Sequence, residues 1–383
     1  MRIHIISNFY PPHRGGIETY VRNLAIGLIR LGHEVKITAA HPPMKPGRYT
    51  QDGVAVRRLR SIGRFYGVPM TPTMLCRIVS AEADIIHANF PNPYNAALAA
   101  FASQIKKTPA VLTWHNDLPP VTRLAWAFVK MHDELFSKLY LDKYDAIVAT
   151  SNAYLRGSKI LQRQKEKVEI IPNGVDCERF RPGIPAEDLR EELKLGRCKT
   201  LLFVGALSRW HRYKGLDDLL RAFKILERRD VRLLVVGGGD LRPEYEALAR
   251  SLNLGGDVIF AGDVPDRILP KYYAASDTLV LPSKNRDEGF GLTILEANAS
   301  GIPAIASRTG GIPGILTDYE NGILVPPNDP TTLAEALRRI IENGELRREL
   351  GKKAREIALR HDWKRVASET ERLYCKVFST SPE

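Results

Sequence analysis

Two glutamates, Glu288 and Glu296, flank a glycine-rich entry into an apolar run, Gly289-Phe290-Gly291-Leu292-Thr293-Ile294-Leu295. The run follows a β-branched stretch over Thr278–Leu281 and a loop over 282–286. Gly289 and Gly291 let the backbone turn tightly into a helix. The first N–H groups of such a helix lack partners of their own and make a ready phosphate site. With Glu296 about two turns in, a rise of ~1.5 Å per residue puts the two carboxylates roughly 10–12 Å apart. Work across one glycosidic bond needs carboxyls ~5 Å apart, or ~6.5–9.5 Å with a water between them. The wider spacing suits a grip on two ends of an extended ligand through its hydroxyls. An ordinary helix with an acidic first turn accounts for one glutamate, but less readily for two beside both glycines.

The second group is cationic. Arg209 and Lys214 lie in a loop between an expected strand, Thr200–Val204, and an expected helix over 215–227, with Trp210, His211, Arg212 and Tyr213 between them. The sequence has no Asp-x-Asp pair to hold a metal. An arginine fork and a lysine point charge can stabilise a departing diphosphate instead, gaining strength as its charge develops. Arg212 is a rival for the arginine's role. Near the N-terminus, Gly15 and Gly16 in Tyr10-Pro11-Pro12-His13-Arg14-Gly15-Gly16-Ile17-Glu18 allow close backbone approach before a helix, although the dinucleotide fingerprint Gly-x-Gly-x-x-Gly is absent. His115 and Asp117 follow the expected strand Ala110–Thr113, and His87 follows residues 84–86. A lone histidine is more often structural than functional, but a strand's carboxyl end is where ligands gather in α/β sheets.

The Glu-x7-Glu segment resembles the signature of family 4 glycosyltransferases, which have the GT-B fold of two Rossmann-like, doubly wound α/β domains facing across a cleft. The resemblance implies a retaining, metal-independent hexosyltransferase that uses a nucleotide diphosphate sugar and no other cofactor. It implies that Glu288 holds donor-sugar hydroxyls, that Glu296 holds the ribose, and that amides near Gly291, Leu292 and Thr293 hold the diphosphate and sugar. Arg209 and Lys214 fall on the arginine and lysine of the family's "G-R-L…KG" stretch, although the loop here is longer. His115 matches a histidine near the reacting carbon, and Gly15 and Gly16 match the family's "GGIE" loop near diphosphate and acceptor. Gly239, in Gly237-Gly238-Gly239-Asp240, resembles a loop near the nucleotide base. Pro172-Asn173-Gly174-Val175-Asp176 is similar to the family's entry into its second domain, and Trp363 begins a final helix that in the family crosses back to the first. Ser307-x-x-Gly310-Gly311-Ile312-Pro313 resembles another family turn that turn chemistry alone explains. Asp117 and, more weakly, His87 are candidates for the acceptor side. Trp114-His115-Asn116-Asp117 favours GDP-mannose as donor, with UDP-glucose next.

These groups need elements to position them. Strand-like runs at Arg2–Ser7, Glu34–Ala39, Val54–Leu59, Asp84–Ala88, Ala110–Thr113, Asp145–Thr150 and Val168–Ile171 alternate with helix-period stretches such as Ile17–Arg30 and Tyr94–Ser103. After a proline-marked passage the rhythm restarts at Thr200–Val204, Arg232–Val236, Val258–Ala261, Thr278–Leu281, Ala304–Ala306 and Gly322–Val325. Alternation of this kind implies two parallel sheets covered on both faces. The expected domains are 1–172, with the terminal helix over 362–383, and 186–361, with 173–185 as linker.

At 383 residues, 44% hydrophobic and 26% charged, the chain is long enough for two cores and too ordered in composition for a disordered one. Its apolar runs fall short of the roughly 20 residues of a membrane span, and the N-terminus reads as a first strand, not a signal peptide. Cys76, Cys177, Cys198 and Cys375 are scattered, with no Cys-x-x-Cys, which argues against a zinc site and a disulfide framework and for a reduced cytoplasmic protein. The net charge of +12 fits either an arginine-rich surface or an anionic partner. No nucleic-acid module accompanies it, so nucleic acid is not the expected partner; a basic nucleic-acid-binding protein and a sugar-nucleotide epimerase or hydrolase on the same fold are the alternatives. The helical segment 121–141 interleaves Arg123, Lys130 and Lys138 with aromatic and aliphatic residues, and Lys143 follows it. It reads either as a core helix or as a surface for reversible contact with an anionic membrane, which would admit a lipid-linked or glycan acceptor at the cytoplasmic face.

Overall fold

The computed structural model describes residues 1–13, 15–42, 44–65, 68–118 and 123–380. The chain divides into two compact units, Met1–Gly174 with the segment from Trp363 onward, and Val175–Asp362. Among the described residues the first unit has an eight-stranded sheet, in the order Val168–Ile170, Ala146–Ala149, Ala110–Trp114, Ile85–Phe90, Arg2–Ile6, Glu34–Ala40, Val54–Leu59, Gly47–Gln51. All pairs are parallel except the last, which is antiparallel. That edge strand went unread because its residues, Gly47-Arg48-Tyr49-Thr50-Gln51, lack an apolar alternation. The inner strands read clearly because both their faces are buried. Ile6, Ile86, Leu112 and Ile147 enter one core, and Ile3, Ile5, Val35, Ile37, Val111 and Val148 enter the other.

The terminal helix Trp363–Ser379 belongs to this first unit and packs on the helix Gly16–Arg30. Small residues permit the approach. A Cβ on Gly27 would stand 2.6 Å from that of Ala367, and one on Gly174 would stand 2.7 Å from the Trp363 ring. Polar ties fix the register, with His33 Nε2 2.8 Å from Glu371 Oε1, and Lys376 Nζ 2.6 Å from Glu169 Oε1.

The second unit has a six-stranded, all-parallel sheet, in the order Val258–Gly262, Val231–Val236, Lys199–Val204, Thr278–Leu281, Ala304–Ser307, Gly322–Val325. Alternate residues again feed two cores, Leu201, Phe203, Leu233 and Val235 on one face and Leu202, Leu234, Leu279 and Leu281 on the other. The stretch 173–185 differs from a linker. Val175, Cys177 and Phe180 are buried in the second unit's core. Arg355 donates to the carbonyls of Cys177, Phe180 and Ala299, and Val175 N donates to His361 O at 2.8 Å. A guanidinium with several donors in a fixed fork is suited to pinning such an irregular stretch.

Candidate active site

The site in the second unit is built on two loops at strand carboxyl ends. After Lys199–Val204 the chain makes a 3-10 turn, Arg209–Lys214, and enters the helix Leu216–Leu226 through Gly215. Gly215 has φ +74, and a Cβ there would stand 2.0 Å from the Pro282 carbonyl oxygen, so both the backbone conformation and the space demand glycine. Lys284 N donates to Tyr213 O at 2.7 Å. The Lys284 ammonium meets Asp217 Oδ2 at 2.8 Å and Asp218 Oδ2 at 3.1 Å. The loop after Thr278–Leu281 is thereby stitched to the loop that carries Lys214. On the other side, Leu207 N donates to Gly238 O and Leu241 N to Leu207 O, each at 2.8 Å. Gly239 lies so close that a Cβ would come 2.3 Å from Leu207 O, which gives this expected nucleotide-loop glycine a packing role.

Lys214 Nζ lies 2.9 Å from Glu288 Oε2, with both side chains largely buried. The lysine stem runs over Gly205, where a Cβ would meet Cδ at 2.7 Å, and the ammonium stands 5.6 Å from the Tyr213 ring centre. Ser283 Oγ also donates to Glu288 Oε2, at 3.3 Å. The backbone around Glu288 is braced by the turn at 307–313, since Gly311 N donates to Glu288 O at 3.0 Å. The turn that sequence assigned to turn chemistry alone therefore supports the glutamate.

The helix after Glu288 runs from Leu292 to Ala299, so Glu296 sits about one turn in, not two. Gly291, at φ +90, is its N-cap and makes no side-chain cap. The amides of Leu292 and Thr293 lie ahead of the helix's own hydrogen-bond ladder, and Thr293 Oγ1 is buried without a hydrogen-bond partner among the described residues. Glu296 accepts from Tyr273 OH at 2.6 Å. Burial pushes the Glu296 carboxyl up to about 7, against the Tyr273 hydrogen bond and the charges of Arg179 and Lys214, which pull it down. Its partner Tyr273 was not anticipated, because the helix Leu269–Ala274 that delivers it carries no chemical motif.

The structure brings Lys214, Glu288, Glu296, Gly291, Leu292 and Thr293 into one neighbourhood of the second unit. It places the arginines differently. Arg209 is 83% exposed in its side chain and pairs with Asp240 at 3.1 Å. Arg212 pairs with Glu244, farther along the same flank.

In the first unit His115 is buried, with Nε2 3.0 Å from Asn89 Oδ1. Asn89 Nδ2 donates to the Ile6 carbonyl, which turns Oδ1 toward the histidine. His115 Nε2 is therefore the protonated nitrogen, and Nδ1 carries the lone pair. Burial, with a smaller contribution from His87, brings its pKa down to about 3, so the ring is neutral at physiological pH. It can accept a ligand hydroxyl but not supply a positive charge. Tyr20 packs edge-on against it at 4.7 Å.

Asp117 carries a structural load the sequence did not show. Its Oδ1 accepts from Trp114 Nε1 at 2.9 Å and Ser158 Oγ at 2.8 Å, and its N–H donates to Tyr154 OH. His87 does not suit an acceptor role. It is fully buried, with Nε2 2.7 Å from Thr113 Oγ1 and Nδ1 bonded to Tyr374 OH of the terminal helix. Both ring nitrogens are occupied, and burial lowers its pKa to about 3. Gly15 and Gly16 are exposed at the start of their helix, where Glu18 Oε2 stands 2.2 Å from the position of a Gly15 Cβ. Glu18 is thus a first-turn carboxylate favourable to the helix dipole, although it makes no capping hydrogen bond among the described residues. Arg14 lies outside the described residues. A residue that sequence missed is Arg58, fully buried, whose guanidinium donates to the Tyr10 and Pro11 carbonyls and so holds the loop before Gly15.

Residues 186–357 match the family model described as glycosyl transferases group 1, and residues 14–179 match glycosyltransferase family 4. The chain is 32% identical to the D-rhamnosyltransferase WbpZ of Pseudomonas aeruginosa over 361 residues, 92% of this chain and 89% of that one. It is 29% identical to the O-antigen chain mannosyltransferase C of Escherichia coli, over 92% of each chain. Among solved structures, sucrose-phosphate synthase from Thermosynechococcus elongatus superimposes with a TM-score of 0.80 at 27% identity, covering 99% of this chain and 100% of that one.

Proposed function

This chain belongs to the group 1, family 4 glycosyltransferases with two parallel-sheet α/β domains of the GT-B kind, and we propose that it moves a hexose, with retention, from a nucleotide diphosphate sugar to a hydroxyl of a glycan or lipid-linked acceptor. The observation that carries this reading is the Lys214–Glu288 pair at 2.9 Å beside the uncapped start of the helix Leu292–Ala299. Lys214 and the amides of Leu292 and Thr293 take the diphosphate, Glu288 takes a sugar hydroxyl, and Glu296 takes the ribose. Arg209 leaves its exposed partner Asp240 to add a second cation. A surface pair of this kind is worth only about 0–1 kcal/mol, so the exchange costs little.

In the reaction the bond from the anomeric carbon to the diphosphate oxygen breaks and a bond to the acceptor oxygen forms on the same face. The acceptor proton leaves with the diphosphate, and positive charge on the sugar develops in between. Lys214 and the helix amides meet the growing negative charge, so no metal is needed. His115, neutral with a free lone pair at Nδ1, supports a hydroxyl-orienting role. A mannosyltransferase relative favours GDP-mannose as donor, with UDP-glucose second.

The acceptor's setting is read from the segment Arg123–Leu141. Val129, Tyr140 and Leu141 are buried, whereas Trp126, Leu135 and Leu139 are 56%, 63% and 61% exposed, with Phe101 and Ile105 of the neighbouring helix also exposed. Lys130 lies over Trp126 and Lys143 over Phe101. Val121 and Thr122 lie outside the described residues. Among those described, no helix is long and apolar enough to cross a membrane. Exposed aromatic and aliphatic residues among lysines fit a peripheral, reversible contact with an anionic leaflet, on the reducing, cytoplasmic side where the four free thiols stay reduced.

The test is transfer from a panel of nucleotide sugars, with and without acceptor, in excess EDTA or in magnesium. Product should form only with acceptor and at equal rate in both. Loss of turnover in EDTA restored by manganese would overturn metal independence, and equal donor turnover without acceptor would point to an epimerase or hydrolase.

A further inference from the structure

Glu288 is held from one side. Its Oε2 accepts from both Lys214 Nζ and Ser283 Oγ, at 2.9 and 3.3 Å, while Oε1 has no hydrogen bond among the described residues. A glutamate's terminal torsion is soft, and an ammonium is a compact charge that either carboxylate oxygen, or both, can satisfy. Lys214 alone therefore does not decide which oxygen is left for a ligand. A second donor does. Ser283 is fully buried, and among the described residues its hydroxyl makes this hydrogen bond alone. Its placement follows from the backbone on either side, because the Pro282 carbonyl packs against Gly215 and Lys284 N donates to Tyr213 O at 2.7 Å. The residues before and after Ser283 are thus fixed to the two residues that flank Lys214.

We propose that Ser283 is a positioning residue of the donor site, holding Glu288 so that Oε2 serves Lys214 and Oε1 faces the sugar. The proposal rests on the reading that Glu288 binds a donor-sugar hydroxyl and Lys214 the diphosphate. Without the serine hydroxyl, the carboxylate turns both oxygens to the ammonium, and recognition of the sugar weakens while that of the diphosphate persists.

The experiment measures, by calorimetry, the ratio of dissociation constants for a nucleoside diphosphate and its sugar conjugate. It uses the base and sugar that the wild type binds most tightly. Ser283→Ala should weaken binding of the conjugate about 10-fold and leave the free diphosphate within about twofold, with donor KM rising more than kcat falls. Glu288→Gln should lower the same ratio. If Ser283→Ala keeps the wild-type ratio while Glu288→Gln lowers it, the serine proposal fails and the site reading stands. If Glu288→Gln also keeps the ratio, or the wild type binds no nucleotide sugar, the underlying reading fails and the serine's role with it. An equal weakening of both ligands, with a lower Tm, would make Ser283 structural only.

Discussion

Lys214 and Arg209 are both cations of one loop, yet the structure places them differently. The lysine is 14% exposed and set on Glu288, while the arginine is 83% exposed and held by one surface acid. Lys214→Ala should therefore lower kcat by ~10²–10³ with a smaller change in donor binding, because its charge matters most as the diphosphate departs. Arg209→Ala should also lower kcat, while Arg212→Ala, whose partner Glu244 lies farther along the flank, should not. Steady-state kinetics of the three variants decides, and a larger loss at Arg212 would transfer the role. Glu296 gives a pH signature. The folded protein holds its proton up to about 7, against an ordinary 4.5. Between those values the folded state binds more protons than the unfolded chain, so this group's contribution to stability is greatest below about 4.5 and is lost as pH rises through 7. Replacing it by Gln should flatten the decline in Tm between pH 5 and 8, a difference on the order of 2 kcal/mol. Measuring Tm against pH for both proteins checks this, and parallel curves would contradict it. Glu288 and Lys214 were legible from residue type beside glycine. Ser283 and Tyr273 were not, since a lone serine or tyrosine has no spacing signal and acquires its role from what it touches.

At the scale of elements, the segment from Arg123 to Leu141 has the ambiguity that sequence leaves in any amphipathic helix. The structure buries one face and exposes the other, and a π-helical turn over His132–Phe136 interrupts it. His132 stays inside, with Nε2 2.8 Å from Tyr140 OH, while Leu135 and Phe136 face out. The double variant Leu135→Glu with Leu139→Glu removes exposed apolar surface without touching the core. It should abolish co-sedimentation with vesicles containing acidic lipid while Tm changes little. Wild-type binding should fall with salt, as lysine attraction of about 1 kcal/mol each near the surface is screened. Binding that ignores both lipid charge and salt, or no binding by the wild type, would remove the membrane proposal and leave a soluble acceptor. Elsewhere, inner strands matched the apolar rhythm within a residue or two and the helix expected over Tyr94–Ser103 ran on to Lys106, while the polar edge strand Gly47–Gln51 escaped it.

At the scale of the whole molecule, the terminal helix completes the first unit by a buried polar chain. Tyr374 OH bonds His87 Nδ1, His87 Nε2 meets Thr113 Oγ1 at 2.7 Å, and Thr113 Oγ1 meets Tyr20 OH at 3.1 Å. Tyr374→Phe leaves a buried imidazole nitrogen without its partner, which costs about 1–3 kcal/mol. Urea unfolding should show that loss, with the dissociation constant of the free nucleoside diphosphate unchanged, because Lys214 and the helix amides assigned to the diphosphate lie in the second unit. Weaker diphosphate binding at unchanged stability would contradict this assignment.

By itself the sequence determined the two parallel α/β sheets, since strands buried on both faces must be apolar throughout and their helices must carry the matching period. It also determined the chemical inventory at the strand ends, because glycine-flanked carboxylates and cations have few other uses there. Tertiary structure alone decided which of those groups meet. It set Lys214 on Glu288 and left Arg209 on Asp240, and it filled both nitrogens of His87 while leaving one of His115 without a hydrogen bond among the described residues. It also put Val175, Cys177 and Phe180 into a core where a linker was expected. The physical reason is common to all of these. Spacing along a chain fixes what lies on one element's face, whereas a side chain's partner comes from another element, brought near by packing that no local pattern records.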